Sequence, residues 1–351
     1  MTPFYEPFKP STFVCQPAAA LIITKGGEVE VFSDSGKCSM AVTTFPEFAG
    51  VGRTSSLLDE ELILLGNDPL STQEGRYVSI HKPRDGLLAM KYLIQNISLA
   101  GPPHQHTSLV SKNTLAVVGG KFKSKGKLSK FTWTELSLHR KDGSKLNLDF
   151  VAACTVKLDV DVHIIFGGER TIDGQKRSSK EVVRINTTEQ VAYQMKGMHQ
   201  ERAFHGCQLL DSSLVLLSGG LAQSEIQPDE LYDIKSQESQ ESQETVLNLD
   251  DSLKRHHHSL IKIGERVFGV GGVDSDKNTP SKIEEFNRAT NTWTVLNQEL
   301  HSSHTSDLVV SPFPMSAIDC VPKCQCGIGK RETRIFDGSE AEVRVFVLNH
   351  P

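Results

Sequence analysis

The densest cluster of charged side chains in this sequence is a lysine-rich run at residues 121–130. Five of these ten residues are lysines, in a chain whose formal net charge is -5. They are Lys121, Lys123, Lys125, Lys127 and Lys130. Ammonium groups neutralise phosphates and release counterions, so the run predicts contact with the backbone of DNA, independent of base sequence. A solvated hairpin that only keeps the protein soluble is the alternative, and the residues leave both open.

A second, looser set of cationic residues follows downstream. It consists of Arg170, Lys176, Arg177 and Lys180. Each set comes shortly after a pair of glycines, Gly119-Gly120 for the first and Gly167-Gly168 for the second. If the glycine pairs mark equivalent positions of repeated units, the two sets occupy equivalent loops on one face of the fold. This arrangement favours the DNA interpretation.

No group of residues in the sequence predicts catalysis or a resident metal. Pairs of acids such as Asp159 and Asp161 are expected at turns, so we assign no catalytic residue. Two groups could offer zinc ligands, His256-His257-His258 and the cysteines at 320, 324 and 326. Adjacent histidines on a strand point to opposite sides, and the three cysteines lack a fourth ligand. We therefore expect no metal ligand and no cofactor in this chain.

The composition is typical of a globular protein. The 351 residues are 38% hydrophobic and 23% charged, and the net charge excludes a bulk polycation that holds DNA by charge alone. Residues 1–10 lack the basic start and apolar core of a secretory signal, and no stretch reaches the roughly 18 apolar residues of a membrane span. We expect an intracellular protein without membrane contact. Its seven scattered cysteines are then expected to be reduced and buried.

Pairs of glycines recur along the chain at a regular spacing. Four apolar runs end in Gly119-Gly120, Gly167-Gly168, Gly219-Gly220 and Gly271-Gly272, and the first glycines lie 48, 52 and 52 residues apart. A step of 53 back reaches Gly66, and a step of 56 forward reaches Gly327. A strand, a glycine pair and two more strand-like runs in about fifty residues are typical of a propeller blade.

The repeats predict an all-β fold, a six-bladed β-propeller that takes in residues 1–351 as one domain. The blades are expected to centre near glycines 66, 119, 167, 219, 271 and 327. Residues 1–48 stand outside these units, and the strand-like segments 20–24 and 28–32 are expected to close the ring. Residues 236–244 repeat Ser-Gln-Glu without an apolar side chain and are expected to form a disordered loop.

Aromatic residues at fixed positions identify the kind of propeller. Phe286 and Trp293 are separated by six residues that predict a tight turn between antiparallel strands, and Tyr232 follows an earlier glycine pair. A double glycine followed by an aromatic residue, a six-residue gap and a Trp resembles the kelch repeat. The paired glycines and these three aromatic residues are interpreted as structural.

One segment resembles a particular kelch family. Phe204-His205, Gly219-Gly220-Leu221-Ala222 and the run from Ile226 to Ile234 are similar to the second recombination-activating protein. That family is the kelch-propeller subunit of the antigen-receptor gene recombinase and of related transposons. Vertebrate members continue into an acidic hinge and a plant homeodomain finger, and Cys320, Cys324 and Cys326 are too few ligands for that finger, so we do not expect it here. Histone reading is therefore not carried over.

The resemblance implies a nuclear accessory subunit without catalytic residues. The partner would be a catalytic subunit resembling the first recombination-activating protein, in a heterotetramer with two copies of each chain. The partner would supply the acidic residues and the divalent Mg or Mn ions, and the complex would bind and cut double-stranded terminal-repeat DNA. Two rival functions remain open from the residues: a kelch adaptor that recruits a protein, and a propeller enzyme, for which no acid–base or metal constellation is evident.

Overall fold

The computed structural model describes residues 150–235 and 254–300, together with Thr24 and the strands whose bounds follow. No helix occurs in these residues, so the expected all-β class is confirmed for the part of the chain that the structure describes. A search of the same residues finds no helix that could span a membrane.

Within the part of the chain that the structure describes, strands occur from residue 18 to residue 349. The first twelve are β1 (Ala18–Ile23), β2 (Glu28–Ser33), β3 (Ser39–Thr44), β4 (Thr54–Leu58), β5 (Glu61–Asn67), β6 (Glu74–His81), β7 (Leu88–Ser98), β8 (Thr107–Ser111), β9 (Thr114–Val118), β10 (Gly126–Lys127), β11 (Thr132–Glu135) and β12 (His139–Arg140). The next eleven are β13 (Cys154–Lys157), β14 (Val162–Phe166), β15 (Glu169–Ile172), β16 (Gln175–Ser178), β17 (Val182–Asn186), β18 (Val191–Met195), β19 (Gly206–Leu209), β20 (Leu214–Ser218), β21 (Leu221–Ala222), β22 (Glu225–Ile226) and β23 (Glu230–Asp233). The last nine are β24 (Arg255–His256), β25 (Ser259–Ile263), β26 (Arg266–Val270), β27 (Val273–Asp274), β28 (Lys282–Asn287), β29 (Thr292–Glu299), β30 (Val309–Pro314), β31 (Cys326–Phe336) and β32 (Glu340–Asn349).

Three units in the middle of the chain share one plan. Their main sheets have the orders β12-β18-β17-β14-β13, β19-β20-β23 and β25-β26-β28-β29. In each unit a short two-stranded ribbon involves the segment that follows the glycine pair: β15 with β16, β21 with β22, and β27 with β24. We call these units A, B and C in chain order. The tightly turned β28–β29 hairpin of unit C places Phe286 opposite Trp293, with ring centroids 5.2 Å apart.

Strands from the two ends of the chain join in shared sheets. β1 pairs with β2 on one side and with β30 on the other, so that Leu21 lies opposite Ser311. β4 to β7 form a meander, to which β32 and then β31 are added beyond β7. Gly66 in β5 and Gly327 in β31, which the sequence analysis assigns to separate units, therefore lie in one sheet.

The first strands of the sheets lie side by side. β13 is next to β19, β19 next to β25, β25 next to β30, β30 next to β4, and β4 next to β8. Apolar side chains fill the spaces between neighbouring sheets. Between unit C and the sheet of β1 and β2, Phe32 meets Phe268 edge to face with ring centroids 5.0 Å apart, and Ile22 and Ile261 are buried in the same cluster.

A disulfide bond joins Cys154 of β13 to Cys207 of β19. The expectation that all seven cysteines are reduced is therefore wrong for this pair. The two cysteines lie 53 residues apart in the sequence, which is one repeat, and their Cα atoms are 5.9 Å apart. Neighbouring first strands bring equivalent ends of two units together, so a separation of one repeat was the signal of this proximity in the sequence.

Candidate functional site: a cationic ribbon beside a buried ionic layer

Each of units A, B and C is entered through a residue in the left-handed region of backbone conformation. These residues are Ala152, Phe204 and His257, with φ angles of 56°, 55° and 56°. The backbone N–H of Phe204 donates to the carbonyl of Ala152 at 3.0 Å, and the N–H of His257 donates to the carbonyl of Phe204 at 2.8 Å. The three units are thus joined by a relay of backbone hydrogen bonds, and the rings of Phe204 and His257 stack with centroids 4.1 Å apart.

Glycine is required at these pairs because a backbone carbonyl of the next unit lies where a Cβ atom would be. Gly219 has a φ of 56°, and a Cβ atom there would lie 2.0 Å from the carbonyl oxygen of Arg255. Gly167 has a φ of 57°, and its Cβ would lie 2.4 Å from the carbonyl oxygen of Arg202. The same carbonyls accept hydrogen bonds from the N–H groups of Gly168 and Gly220. Only glycine combines this conformation with this close contact.

Two buried arginines occupy equivalent positions in units B and C. Arg202 donates from Nη1 to the carbonyls of Gly219 and Pro228, at 3.0 and 2.9 Å, and from Nη2 to Glu230 at 3.1 Å. The side chain of Arg202 is 0% exposed, and that of Glu230 is 7% exposed.

Unit C repeats this arrangement. Arg255 donates to the carbonyl of Gly271 at 2.8 Å and pairs with Glu284. Each arginine therefore links the glycine turn of its unit to a carboxylate on the third strand of the main sheet. We call these two pairs, together with Asp229, the ionic layer.

Asp229 connects the two pairs. One carboxylate oxygen accepts a hydrogen bond from the N–H of Gly219 at 2.9 Å, and the other accepts from Nε1 of Trp293 in unit C at 2.8 Å. Burial raises the pKa of Asp229, and the hydrogen bond from Trp293 opposes that shift. The indole of Trp293 therefore has a polar partner in the neighbouring unit.

Two histidines lie beneath the glycine pairs of units B and C. His205 and His258 are 6% and 5% exposed. Burial lowers the pKa of His258 to about 3, and the positive charge of Arg255 adds to the shift. The pKa of His205 is also lowered well below its ordinary value, first by burial and then by Arg202. Both imidazoles are therefore neutral near pH 7.

The ribbon of β15 and β16 carries three of the cationic residues predicted for unit A, and the fourth, Lys180, follows two residues after β16. The guanidinium of Arg170 lies 4.0 Å from the centre of the Phe150 ring and is 2.7 Å from a carboxylate oxygen of Glu181. Lys176, whose side chain is 70% exposed, is 3.6 Å from Glu169. Arg177 and Lys180 are exposed. The structure thus separates Arg170, which is packed against the unit, from three cations that face solvent.

The lysine run predicted to contact DNA cannot be compared in the same way. Lys121, Lys123, Lys125 and Lys130 lie outside the described residues, as do Gly119, Gly120 and the segment 236–244. Lys127 lies in β10, which pairs with β11.

The cationic ribbon is in contact with unit B. The hydroxyl of Ser178, at the end of β16, donates to the carbonyl of Leu221 in β21 at 2.9 Å. Isolated bridges join Ser179 to Arg202 and Ala203 to Leu221. The ribbon of unit A is therefore joined directly to unit B and to the segment that leads into it.

A cavity of about 440 Å³ lies between the first strands of units A, B and C. We call it the first-strand cavity. Its lining residues come from β13, from β19 with the turn that follows, and from β25: Thr155, Val156, Lys157, Cys207, Gln208, Leu209, Leu210, Asp211 and Lys262.

The ionic layer was not predicted from the sequence. A signal was present, because Arg202-Ala-Phe-His205 and Arg255-His-His-His258 repeat the pattern Arg-x-x-His at a distance of 53 residues. The prediction that the three consecutive histidines alternate along a strand is wrong, because His257 departs from strand conformation. The positive φ of His257 interrupts the alternation, and the Nδ1 atoms of His256 and His257 approach each other. Within the described residues, no three metal-binding side chains are grouped.

Comparisons with known proteins identify the architecture. No family model matches the sequence, and no curated protein matches it. Among solved structures, the fold is similar to that of YjhT, a kelch-like β-propeller, with a TM-score of 0.51 and 12% identity over 72% of this chain and 85% of that chain. At this identity the likeness concerns the fold alone, and it identifies this chain as β-propeller-like.

Proposed function

We propose that the protein is a six-bladed kelch propeller that serves as the non-catalytic subunit of a DNA transposase or recombinase. The six blades begin at β4, β8, β13, β19, β25 and β30, and the pairing of β1 with β30 closes the ring. The side-by-side order of these six first strands supports this arrangement. Closure by strands from both ends is the usual way in which propellers avoid exposed sheet edges.

The observation that carries the proposal is the contact between two features of one surface. Residues 204–234, which resemble the second recombination-activating protein, form unit B and its approach. The ribbon of unit A, with Lys176, Arg177 and Lys180, packs directly against that unit through Ser178 and Leu221. A rigid surface of this kind would add phosphate contacts next to a catalytic partner, and these contacts favour the cleavage-competent assembly.

The partner would contribute the chemistry. A catalytic subunit resembling the first recombination-activating protein would supply clustered carboxylates and the Mg or Mn ions that they bind. The complex would contain two copies of each chain, act in the nucleus and hold double-stranded terminal-repeat DNA. This chain would contribute positioning and no catalytic residue.

A cleavage assay tests the proposal. A catalytic recombination-activating-like subunit is incubated with terminal-repeat DNA and Mg²⁺, with and without this protein, and we expect both co-purification and more product. In the variant Arg177→Ala/Lys180→Ala the salt dependence of DNA affinity should fall by up to about 2 in log–log slope. The control Lys235→Ala/Lys282→Ala removes two exposed lysines outside the ribbon. Neither binding to the partner nor stimulation of cleavage would contradict the proposal.

A kelch adaptor that recruits a protein is the second candidate. Ile172, the last residue of β15 before the turn of the ribbon, is 46% exposed. Two cations of the ribbon, Arg170 and Lys176, are already paired with glutamates. An apolar side chain framed by paired charges is typical of a contact with protein. Ile172→Asp would then abolish partner binding, whereas the Arg177→Ala/Lys180→Ala variant would leave DNA affinity unchanged.

A further inference from the structure

The disulfide bond lies at the junction of two units and beside a cavity. Cys154 and Cys207 belong to the first strands of units A and B, and Cys207 lines the first-strand cavity. Both cysteines also contact the apolar cluster between the two units, where Val156, Phe166 and Val215 are buried. The bond is therefore a covalent link between two neighbouring sheets, and one of its two residues borders a space that a small molecule can enter.

The charges around this space favour an anion. Lys157 and Lys262 both line the cavity, and Nζ of Lys262 is fixed by a hydrogen bond of 2.7 Å to the carbonyl of Leu210. The one carboxylate of the lining, Asp211, already accepts hydrogen bonds from the N–H groups of Ser213 and Leu214 and pairs with Arg288. The negative charge of Asp211 is thus compensated by other residues. Lys262 also lies 3.2 Å from the exposed carboxylate of Glu265, so Lys157 carries most of the positive charge that can attract a ligand.

The lining also offers polar groups to a ligand. The hydroxyl oxygen of Thr155 is buried and has no hydrogen-bond partner. Gln208 makes a side-chain hydrogen bond of 3.3 Å from Nε2 to the carbonyl of Leu209, which leaves its amide oxygen able to accept. A ligand with carboxylates and amide groups would match the two lysines and these two side chains.

We propose that the Cys154–Cys207 disulfide is a site of thiol–disulfide exchange, reached through the first-strand cavity by a small anionic thiol. The thiolate attacks the sulfur of Cys207, a new bond forms between these two sulfurs, and Cys154 leaves as a thiolate that takes a proton from water. A second thiol attacks the mixed disulfide, so that Cys207 is released as a thiol and the two small thiols leave as their disulfide. The protein gains two electrons and two protons, and two small thiols are oxidised.

The cavity would act on this step through its lysines. Negative charge is spread over three sulfur atoms in the transition state of the exchange, and nearby ammonium groups stabilise it. They also raise the local concentration of an anionic thiol relative to a cationic thiol. The consequence for the protein is that reduction removes the covalent link between units A and B. This inference is independent of the proposed function, because it concerns bond chemistry and not DNA.

Thiols of opposite charge test the proposal on the intact, folded protein. The oxidised chain is incubated with glutathione, which carries a net negative charge, or with cysteamine, which carries a positive charge, at equal thiolate concentrations. Reduction is followed by alkylation of free thiols and mass spectrometry of the peptides that contain Cys154 and Cys207. We expect glutathione to react on the order of fivefold faster at low salt, and the advantage to shrink at high salt.

A pair of lysine variants tests the route. Lys157→Met should remove most of the preference for glutathione, whereas Lys282→Met, an exposed lysine on β28, should leave the preference unchanged. Three results would overturn the proposal: both cysteines alkylated before any thiol is added, no reduction until the protein is denatured, or equal rates for the two thiols. The variant Cys154→Ser/Cys207→Ser identifies the peptides and supplies the reference for the reduced state.

Discussion

Unit A and the two units that follow it build the same backbone arrangement with different side chains. The second glycine of each pair marks the equivalent positions, because its Cβ would meet Ala153 in unit A, His205 in unit B and His258 in unit C. The residues three positions before Ala153, His205 and His258 are Phe150, Arg202 and Arg255. Equivalent positions on the third strand of each main sheet are occupied by Val183, Glu230 and Glu284. Their strand partners are Ile165, Leu217 and Gly269, each two residues before the first glycine of its pair.

The comparison shows that the backbone is the constant part of the repeat. The left-handed entry residue and the glycine pair occur in all three units, whereas the space behind the glycines is filled by an apolar set in one and by an ionic set in two. In unit A the guanidinium of Arg170 covers the Phe150 ring from the ribbon. The apolar set, Phe150, Ala153 and Val183, comes from unit A alone. The ionic solution also joins units, since Asp229 accepts a hydrogen bond from Trp293 of the next one.

Breaking one ionic pair should have the largest effect. Arg202→Met leaves Glu230 buried without its cation and leaves the carbonyls of Gly219 and Pro228 without a donor. We expect the free energy of unfolding to fall by about 3 to 5 kcal/mol, measured by urea denaturation. Lys282→Met breaks the exposed pair with Glu299 and should cost less than about 1 kcal/mol.

Exchanging the whole set of side chains tests whether the apolar and ionic sets are equivalent. Arg202→Phe/His205→Ala/Glu230→Val gives unit B the side chains of unit A, and we expect it to be more stable than Arg202→Met because the carboxylate of Glu230 is removed together with its cation. A triple variant no more stable than the single variant would mean that the two sets are not equivalent. The measurement is the same urea denaturation.

The glycine turn should be the next most sensitive feature. Gly219→Ala places a methyl group 2.0 Å from the Arg255 carbonyl at a residue with positive φ. Strain and displacement together should cost about 2 to 4 kcal/mol. Gly174→Ala is the matched control, since its φ is 77° and no atom lies within 4 Å of the added Cβ. The control should cost about 1 kcal/mol, and equal losses for the two variants would contradict the role of close approach.

The buried histidines predict a smaller, pH-dependent effect. The pKa of His258 is lowered to about 3 by burial, from an ordinary value of 6.5. Between these values the unfolded chain binds a proton that the folded chain does not, so stability is lost as the pH falls below about 6.5. The difference in unfolding free energy between the wild type and His258→Gln should shrink by about 1.4 kcal/mol per pH unit in that range.

The repeat period and the glycine pairs predicted the all-β class because both follow from backbone requirements that one unit imposes on the next. The ionic layer was missed for a physical reason. Arg202 and Glu230 are 28 residues apart and belong to residue types that usually face solvent. Their pairing depends on the return of the third strand past the glycine turn, which residue spacing does not reveal. The Cys154–Cys207 bond was missed because seven scattered cysteines do not suggest a disulfide framework, and the separation of one repeat was not weighed.

The pairing of β1 with β30 also sets a limit on how early the fold can be completed. Residues 18–23 leave the ribosome long before residues 309–314 exist, and at a synthesis rate of about 5 to 20 residues per second the wait is about 15 to 60 s. During that time one edge of β1 has no strand to pair with, although β2 is already available. The nascent chain can therefore aggregate through that edge. A chaperone that binds extended apolar segments would bind Ala18–Ile23 during translation and be displaced by β30 when synthesis ends.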